Sequence, residues 1–329
     1  MSGHARRTLC ISNPSLRAAA WIAVAPILLG LMTQPLLAQT APAQTPPPPA
    51  WQIVAGGKQT FDVASVRPSP PEVRNRGVIL NPFDDTPAKG GLFSANGPLL
   101  AYIAFAYKLR DLSQLMTMNE KLPDWARTSN YDIEARADGA PTQDQMRLML
   151  QSLLVERFKL AVHYETRTLP VFAIVLDKPG KTGPQLVPHP ADAPCLDKPD
   201  KPAPVPPNTA PPAYCGMDGW QVNGVLHIRM INVTMEQAAG LLGGMGAMLG
   251  DLGQRSGIDQ TGLTGNYDLT MEFVMQKPGD PSADSANSND ASGPSITTAL
   301  KNQLGLKLIK QTGHVNIFTV DHIEKPSEN

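Results

Sequence analysis

The residues of this 329-residue sequence that could do chemistry are few, but one pair of them occurs twice. A tyrosine followed by an aspartate stands at Tyr131 and Asp132 and again at Tyr267 and Asp268. Each pair follows turn-forming residues at the predicted start of a strand, where an aspartate suits a hydrogen bond to the backbone. A structural role is the favoured interpretation of these four residues, and a binding or chemical role is the alternative.

The motifs of the common catalytic classes are missing from the sequence. It has no HExxH zinc motif, no GxSxG nucleophile elbow, no phosphate-binding lysine loop and no CxxC pair. The glycine run 240–250 lacks dinucleotide-binding spacing, because Leu249 stands where the third glycine is needed, and it predicts close helix packing or a frayed helix end. We therefore predict no catalytic residues, no cofactor and no metal site. A catalytic triad assembled in space is the alternative.

Charge and composition exclude further classes of protein. The chain has 28 basic and 29 acidic residues, a formal net charge of −1, and 33 prolines. Nucleic-acid binding through bulk positive charge is excluded, because phosphate affinity comes mainly from clustered lysines and arginines. Three cysteines are too few for a disulfide-dense small protein.

The first 38 residues have the pattern of a secretory signal peptide. Three arginines precede the uncharged, mostly apolar stretch 18–32, and Ala38 offers a small residue for cleavage. We expect an exported protein, periplasmic or extracellular, whose mature chain starts near Gln39 and has no membrane span. An N-terminal anchor that is kept is the alternative.

Export changes the interpretation of the cysteines. Cys10 would be removed with the signal, so that Cys195 and Cys215 remain as the two thiols of the mature chain. In an oxidising compartment a disulfide between them is the economical interpretation. A metal or redox pair is the alternative, although no histidine stands at ligand spacing.

Hydrophobic periodicity and helix caps predict an α+β protein of two repeated units. Each unit has the order strand, helix, strand, helix and hairpin. The predicted hairpins join 159–166 to 171–177 in the first unit and 306–311 to 315–321 in the second. Tyr131 and Tyr267 are 136 positions apart, as are Asn96 and Asn232, which favours an internal duplication over chance similarity.

Proline-rich stretches set the predicted domain boundaries. The boundaries are a signal at 1–38, a spacer at 39–60, a first unit at 61–178, a linker at 179–220 and a second unit at 221–329. The linker holds the two cysteines that we expect to pair and is expected to stay outside both cores. The stretch 276–294 is expected to be a mobile surface loop.

Several blocks of the sequence carry a resemblance to a known family. They are 61–67 (FDVASVR), 131–135 (YDIEA), 149–160, 165–169, 259–269, 294–308 and 320–329. In this combination the chain resembles a large paralogous family of secreted proteins from soil acidobacteria, built on a domain of unknown function. Related domains are attached to membrane metallopeptidases of the beta-lactam-sensor type. The resemblance implies extracytoplasmic sensing or binding and supplies no catalytic residues.

These observations together predict an extracytoplasmic binding, sensing or interaction module. Its partner would be an unidentified extracytoplasmic ligand or protein, and not a nucleic acid. The alternative is an extracytoplasmic hydrolase with a site assembled between the two halves.

Overall fold

The computed structural model of the chain describes residues 48–69, 80–83, 90–193, 196, 205–245, 255–274 and 293–326, and residues 44–329 belong to one compact unit. The helices are α1 (Ala50–Val54), α2 (Leu99–Ala106), α3 (Leu112–Lys121), α4 (Asp124–Thr128), α5 (Gln143–Phe158), α6 (Met235–Met245) and α7 (Ile296–Ala299), the last continued by a π-helical segment (Leu300–Leu304). The strands are β1 (Val63–Ser69), β2 (Leu92–Pro98), β3 (Asn130–Arg136), β4 (Ala161–Leu176), β5 (Leu186–Pro188), β6 (Gly216–Val222), β7 (Val225–Thr234), β8 (Ser256–Asp259), β9 (Asn266–Val274) and β10 (Leu306–His322). The predicted α+β class is confirmed.

The first core lies between a three-stranded antiparallel sheet and the helices α2 and α5. The strand order is β1-β3-β2. Helix α5 begins with the predicted capping box, in which Thr142 and Gln145 satisfy each other's backbone N–H groups. The hydroxyl of Tyr102 in α2 lies 2.6 Å from the Ala95 carbonyl oxygen and 2.9 Å from that of Tyr131, so that it ties the helix to two strands.

The second core lies against a four-stranded sheet of order β5-β9-β7-β6, which packs on α6, α7 and the π-helical segment. Gly305 ends that segment in the left-handed conformation, with φ at 68°. Strands β5 and β6 both begin inside the predicted linker 179–220. The expectation that this stretch stays outside both cores is therefore wrong, since Leu186 of β5 is fully buried in the second core. Pro188 is tolerated there because β5 is an edge strand.

Both predicted hairpins are wrong, because each forms one continuous strand. β4 and β10 pair antiparallel along their whole length, and β8 adds to β4 in parallel. The Ile174 carbonyl of β4 accepts a hydrogen bond from the Gln260 backbone N–H, on the side of the strand away from β10. Backbone groups alternate between the two edges of a strand, so the even-numbered residues of β4 direct their N–H and C=O groups away from β10. Pro170, also at an even position, thus costs the β4–β10 ribbon no hydrogen bond.

This β4–β10 ribbon connects the two cores. At one end of the ribbon, Leu160, just before β4, and Phe318, near the C-terminal end of β10, pack in the first core. Ile174 and Leu306, at the opposite end of the ribbon, pack in the second core. Each core thus contains strand residues from both halves of the chain.

The two sheets match in part of their register. Tyr131 pairs with Gly97, and Tyr267 pairs with Val233, so both partners differ by the same 136 positions. The sheets differ in strand number, and the ribbon is shared by both cores. The internal duplication therefore stays a prediction, as do the domain boundaries drawn from it. The predicted loop 276–294 falls mostly outside the described residues.

Candidate functional site

A groove of about 720 Å³ lies beside the first core, which contributes Met118, Leu122 and Phe318 to its walls, and we call it the α3 groove. One side of α3 forms a wall of the groove. The other walls are Arg167, Leu169 and Pro170 of β4, Arg255 and Ser256 at the start of β8, and residues 317–323 in and after β10. The volume is in the range of pockets that hold small molecules or short peptides.

The helix cap fixes the start of α3. The carboxylate of Asp111 accepts hydrogen bonds from the backbone N–H groups of Ser113 (2.9 Å) and Gln114 (3.3 Å) and from the Ser113 hydroxyl (2.7 Å). Such a cap stabilises a helix by about 1 kcal/mol. The groove wall therefore begins at a well-defined position.

Glycines of α6 allow α3 and β8 to approach the same helix. An added Cβ at Gly244 would lie 2.6 Å from the Leu112 Cβ, and one at Gly243 would lie 2.2 Å from the Gly257 Cα. These glycines show the close helix packing that the run 240–250 predicts, although residues 246–250 lie outside the described part of the chain. The approach brings Ser113 of α3 and Ser256 of β8 together, with 3.1 Å between their buried hydroxyl oxygens.

The groove has a cationic character. Lys121, Arg167 and Arg255 line it together with one carboxylate, Asp321. His163 lies 2.8 Å from the Asp321 carboxylate and thus occupies part of its hydrogen-bonding capacity. An anionic group in the groove would therefore meet an excess of positive charge.

One neighbouring carboxylate shows this electrostatic influence. The Arg167 guanidinium, 2.6 Å from Glu165, lowers the pKa of Glu165 below its ordinary value through a hydrogen bond. Arg167 is thus partly engaged by Glu165. The Arg255 guanidinium lies over the Phe172 ring, with 5.7 Å to the centroid.

The predicted site residues form two polar clusters, and none of these residues lines the α3 groove. In the first sheet, Asp132 accepts a hydrogen bond of 2.5 Å from the Asn96 side chain, which also contacts Ser69. The Tyr131 ring packs edge-on against Phe158 with 5.0 Å between centroids, and burial raises the pKa of Tyr131. These contacts fit the structural interpretation.

The second cluster has a histidine where the first has a serine. Asp268 accepts a hydrogen bond of 2.9 Å from the Asn232 backbone N–H and lies 2.7 Å from Nδ1 of His189, just after β5. Tyr267 is buried in the second core. His189, whose side chain is 8 % exposed, was not singled out by the sequence, because its proline-rich surroundings predict a linker.

The structure describes one of the two cysteines that are predicted to pair. Cys215, directly before β6, is 9 % exposed, whereas Cys195 lies outside the described residues, so the disulfide stays a prediction.

Within the described ranges, no group of three or more histidine, cysteine or acidic side chains is placed to hold a metal ion. No helix among these residues combines the length and the hydropathy needed to cross a bilayer.

Comparison with known proteins gives one match. The profile of DUF3738, described as a protein of unknown function, matches residues 100–323, from α2 to just past β10. No curated protein matches the chain, and no solved structure matches it. The match includes every element that lines the α3 groove.

Proposed function

The chain belongs to the DUF3738 family of proteins of unknown function, and from the α3 groove we propose that it is an exported binding module for a partly apolar, anionic ligand. The observation that carries this proposal is the combination of surfaces in one groove. Leu169, Ile317 and Val320, which are partly exposed, offer apolar contact, while Lys121 and Arg255 offer positive charge. Apolar walls with a few polar anchors are typical of ligand sites.

The charge of the groove contrasts with that of the chain. The whole sequence has a formal net charge of −1, and loss of the predicted signal would make it more acidic. Three of its 28 basic residues nevertheless line this one groove. Such a local excess favours an anion, because an apolar wall reduces the screening of the charge by water.

The contacts of Ser113 favour binding over hydrolysis. Its hydroxyl donates to Asp111, and that carboxylate already accepts the backbone N–H groups at the start of α3. The partner on the other side is the Ser256 hydroxyl, which is no base. Nucleophilic catalysis needs a base that is free to take the proton, and Asp111 serves as a helix cap.

Export is the second part of the proposal. It is supported by the arginines and the apolar stretch of residues 1–38 and by the resemblance to secreted proteins. Extracytoplasmic sensing would fit the attachment of related domains to membrane sensor proteins. The family match itself concerns residues 100–323 and is independent of these residues.

Export and the disulfide are tested together on protein collected outside the cytoplasm. We expect an N-terminus near Gln39 and no reaction of the unfolded, unreduced protein with maleimide, because Cys195 and Cys215 are joined. After reduction, two labels are expected by mass spectrometry. Two labels before reduction would contradict the disulfide, and an N-terminus that still includes Arg6 would contradict cleavage.

Ligand binding is tested with decanoate, a carboxylate with an apolar chain, by titration calorimetry below its micelle concentration. We expect binding to the unmodified protein and an affinity about tenfold lower for Lys121→Glu, equivalent to roughly 1.4 kcal/mol. The control is Lys301→Glu, an exposed lysine of the π-helical segment outside the groove, which should bind decanoate normally. No binding, or equal binding by Lys121→Glu, would overturn the proposal.

A further inference from the structure

The edge of β10 borders the α3 groove. Six consecutive residues of β10, 317–322, line the groove, as does Ile323 directly after the strand. Since successive side chains of a strand point to opposite faces, consecutive lining residues show that the groove runs along an edge of the strand. The other edge of β10 pairs with β4, and no described strand pairs with the outer edge.

One backbone group of this edge already has a side-chain partner. The Phe318 N–H donates a hydrogen bond of 3.2 Å to Oε1 of Gln114 in α3. The Gln114 amide nitrogen in turn lies 3.3 Å from the Asp111 carboxylate, which fixes the direction of the carbonyl. A carboxamide here occupies the position of a peptide carbonyl in a neighbouring strand.

The outward direction of Phe318 sets the direction of its neighbours. Backbone groups of an antiparallel strand alternate between its two edges, so Asn316 and Val320 present their N–H and C=O groups on the same side as Phe318. At about 3.3 Å per residue, the seven lining residues extend for roughly 20 Å. That length matches an extended segment of about six residues.

We propose that the α3 groove binds an extended acidic peptide, which adds as a strand to the outer edge of β10. This inference rests on the proposed function and names its ligand class. Main-chain hydrogen bonds to β10 would supply affinity, as in other cases of strand addition. Lys121 and Arg255 would pair with acidic side chains, and the apolar wall would hold the alternate residues of the peptide.

Charge is the reason for choosing an acidic peptide over a second copy of the chain. The groove has three cationic side chains against one carboxylate, Asp321, and two copies paired through residues 317–323 would bring two such cationic grooves together. Like charges brought together at an interface oppose such self-pairing. The outer edge of β10 is therefore better matched to a negatively charged strand than to itself.

The test uses the mature protein and a library of acetylated hexapeptide amides in which acidic and apolar residues alternate. Affinity selection with mass spectrometry identifies the best binder, which is then synthesised with N-methyl groups on alternate residues. Methylation of alternate residues removes the N–H donors from one edge of an extended peptide, so the odd and the even residues are methylated in two separate peptides, each of which keeps every charge and side chain. We expect one of the two methylated peptides to bind at least tenfold more weakly than the parent, and Lys121→Glu to weaken the binding of the parent by a similar factor.

Hydrogen exchange locates the contact, with protection expected at the amide of Val320 in the complex and not at that of Gly219 in β6. A library without binders, or binding of both methylated peptides equal to that of the parent, would overturn strand addition. If decanoate still binds the same protein, the proposed function survives that failure. If decanoate also fails, both proposals are wrong. Dimerisation with mutual protection of β10, in the absence of peptide, would assign the edge to a second copy and overturn the inference.

Discussion

Replacement of Gly257 by alanine is expected to lower the free energy of unfolding by about 3 kcal/mol or to prevent folding. The added Cβ would lie 1.8 Å from the Ala239 carbonyl oxygen and 2.9 Å from the Gly243 Cα. Both atoms belong to the backbone of α6, so no side-chain rotation can remove the clash. The helix or β8 would have to shift, and α6 is also the helix on which α3 packs.

Urea unfolding followed by circular dichroism measures this effect, with Gly219→Ala as the matched control. Gly219 is also a strand glycine, but its added Cβ would lie 3.5 Å from the Ile228 Cδ1 and 3.8 Å from the His227 carbonyl oxygen, which are ordinary contacts. We expect the control to stay within about 0.5 kcal/mol of the unmodified protein. A midpoint for Gly257→Ala equal to that of the control would show that α6 and β8 are not packed as described.

Local signals of the sequence predicted those elements whose ends are fixed by neighbouring residues. Thr142 and Gln145 are three positions apart and make the capping box of α5 on their own. Gly305 similarly ends the π-helical segment by its own backbone conformation. Such features depend on few residues, so that a single sequence is enough to locate them.

The hairpins were wrong because strand pairing in this chain is not local. A short alternating run next to another predicts a hairpin, but β4 takes its partner from β10, about 150 residues away in the pairing of Thr166 with Asn316. Pro170 of β4 and Gly313 of β10 favour a turn, but both lie within the paired part of the two continuous strands. No local pattern distinguishes two short strands from one long strand in which a proline directs its backbone away from the partner strand.

The α3 groove could not be predicted for a related reason. Lys121, Arg167 and Arg255 come from α3, β4 and the start of β8, and each is an ordinary surface residue in its own segment. The sequence did give a signal for the packing that brings them together, in the glycines of α6. It also marked Asp132 and Asp268, whose hydrogen bonds lie at corresponding positions of the two sheets.

A second large effect is expected for Asp144→Asn, which should lower the free energy of unfolding by about 3 kcal/mol. Arg147, whose side chain is fully buried, lies 2.6 Å from the Asp144 carboxylate, and Lys108 lies 2.8 Å from the same oxygen. Removal of the carboxylate charge leaves a buried guanidinium and a largely buried ammonium side by side. The loss of a counter-charge beside buried cations is costly, because water cannot reach them to replace it.

The control is Asp124→Asn, which removes a carboxylate with the same spacing to its arginine. Asp124 pairs with Arg127 three positions on, but its side chain is 89 % exposed. Water replaces the lost partner there, so we expect a change below about 0.5 kcal/mol in the same urea titration. Equal effects of the two substitutions would contradict the burial of the Asp144 pair.

The double variant Asp144→Asn with Arg147→Met separates the cost of keeping the Arg147 charge buried from the loss of its attraction to Asp144. The Arg147 guanidinium lies over the Phe105 ring at 4.9 Å, so that a methionine side chain can keep the apolar contact. If the buried charge causes the instability, the double variant should be more stable than Asp144→Asn alone by about 1 kcal/mol or more. A double variant that is less stable would instead mean that Arg147 contributes mainly through contacts other than its pairing with Asp144.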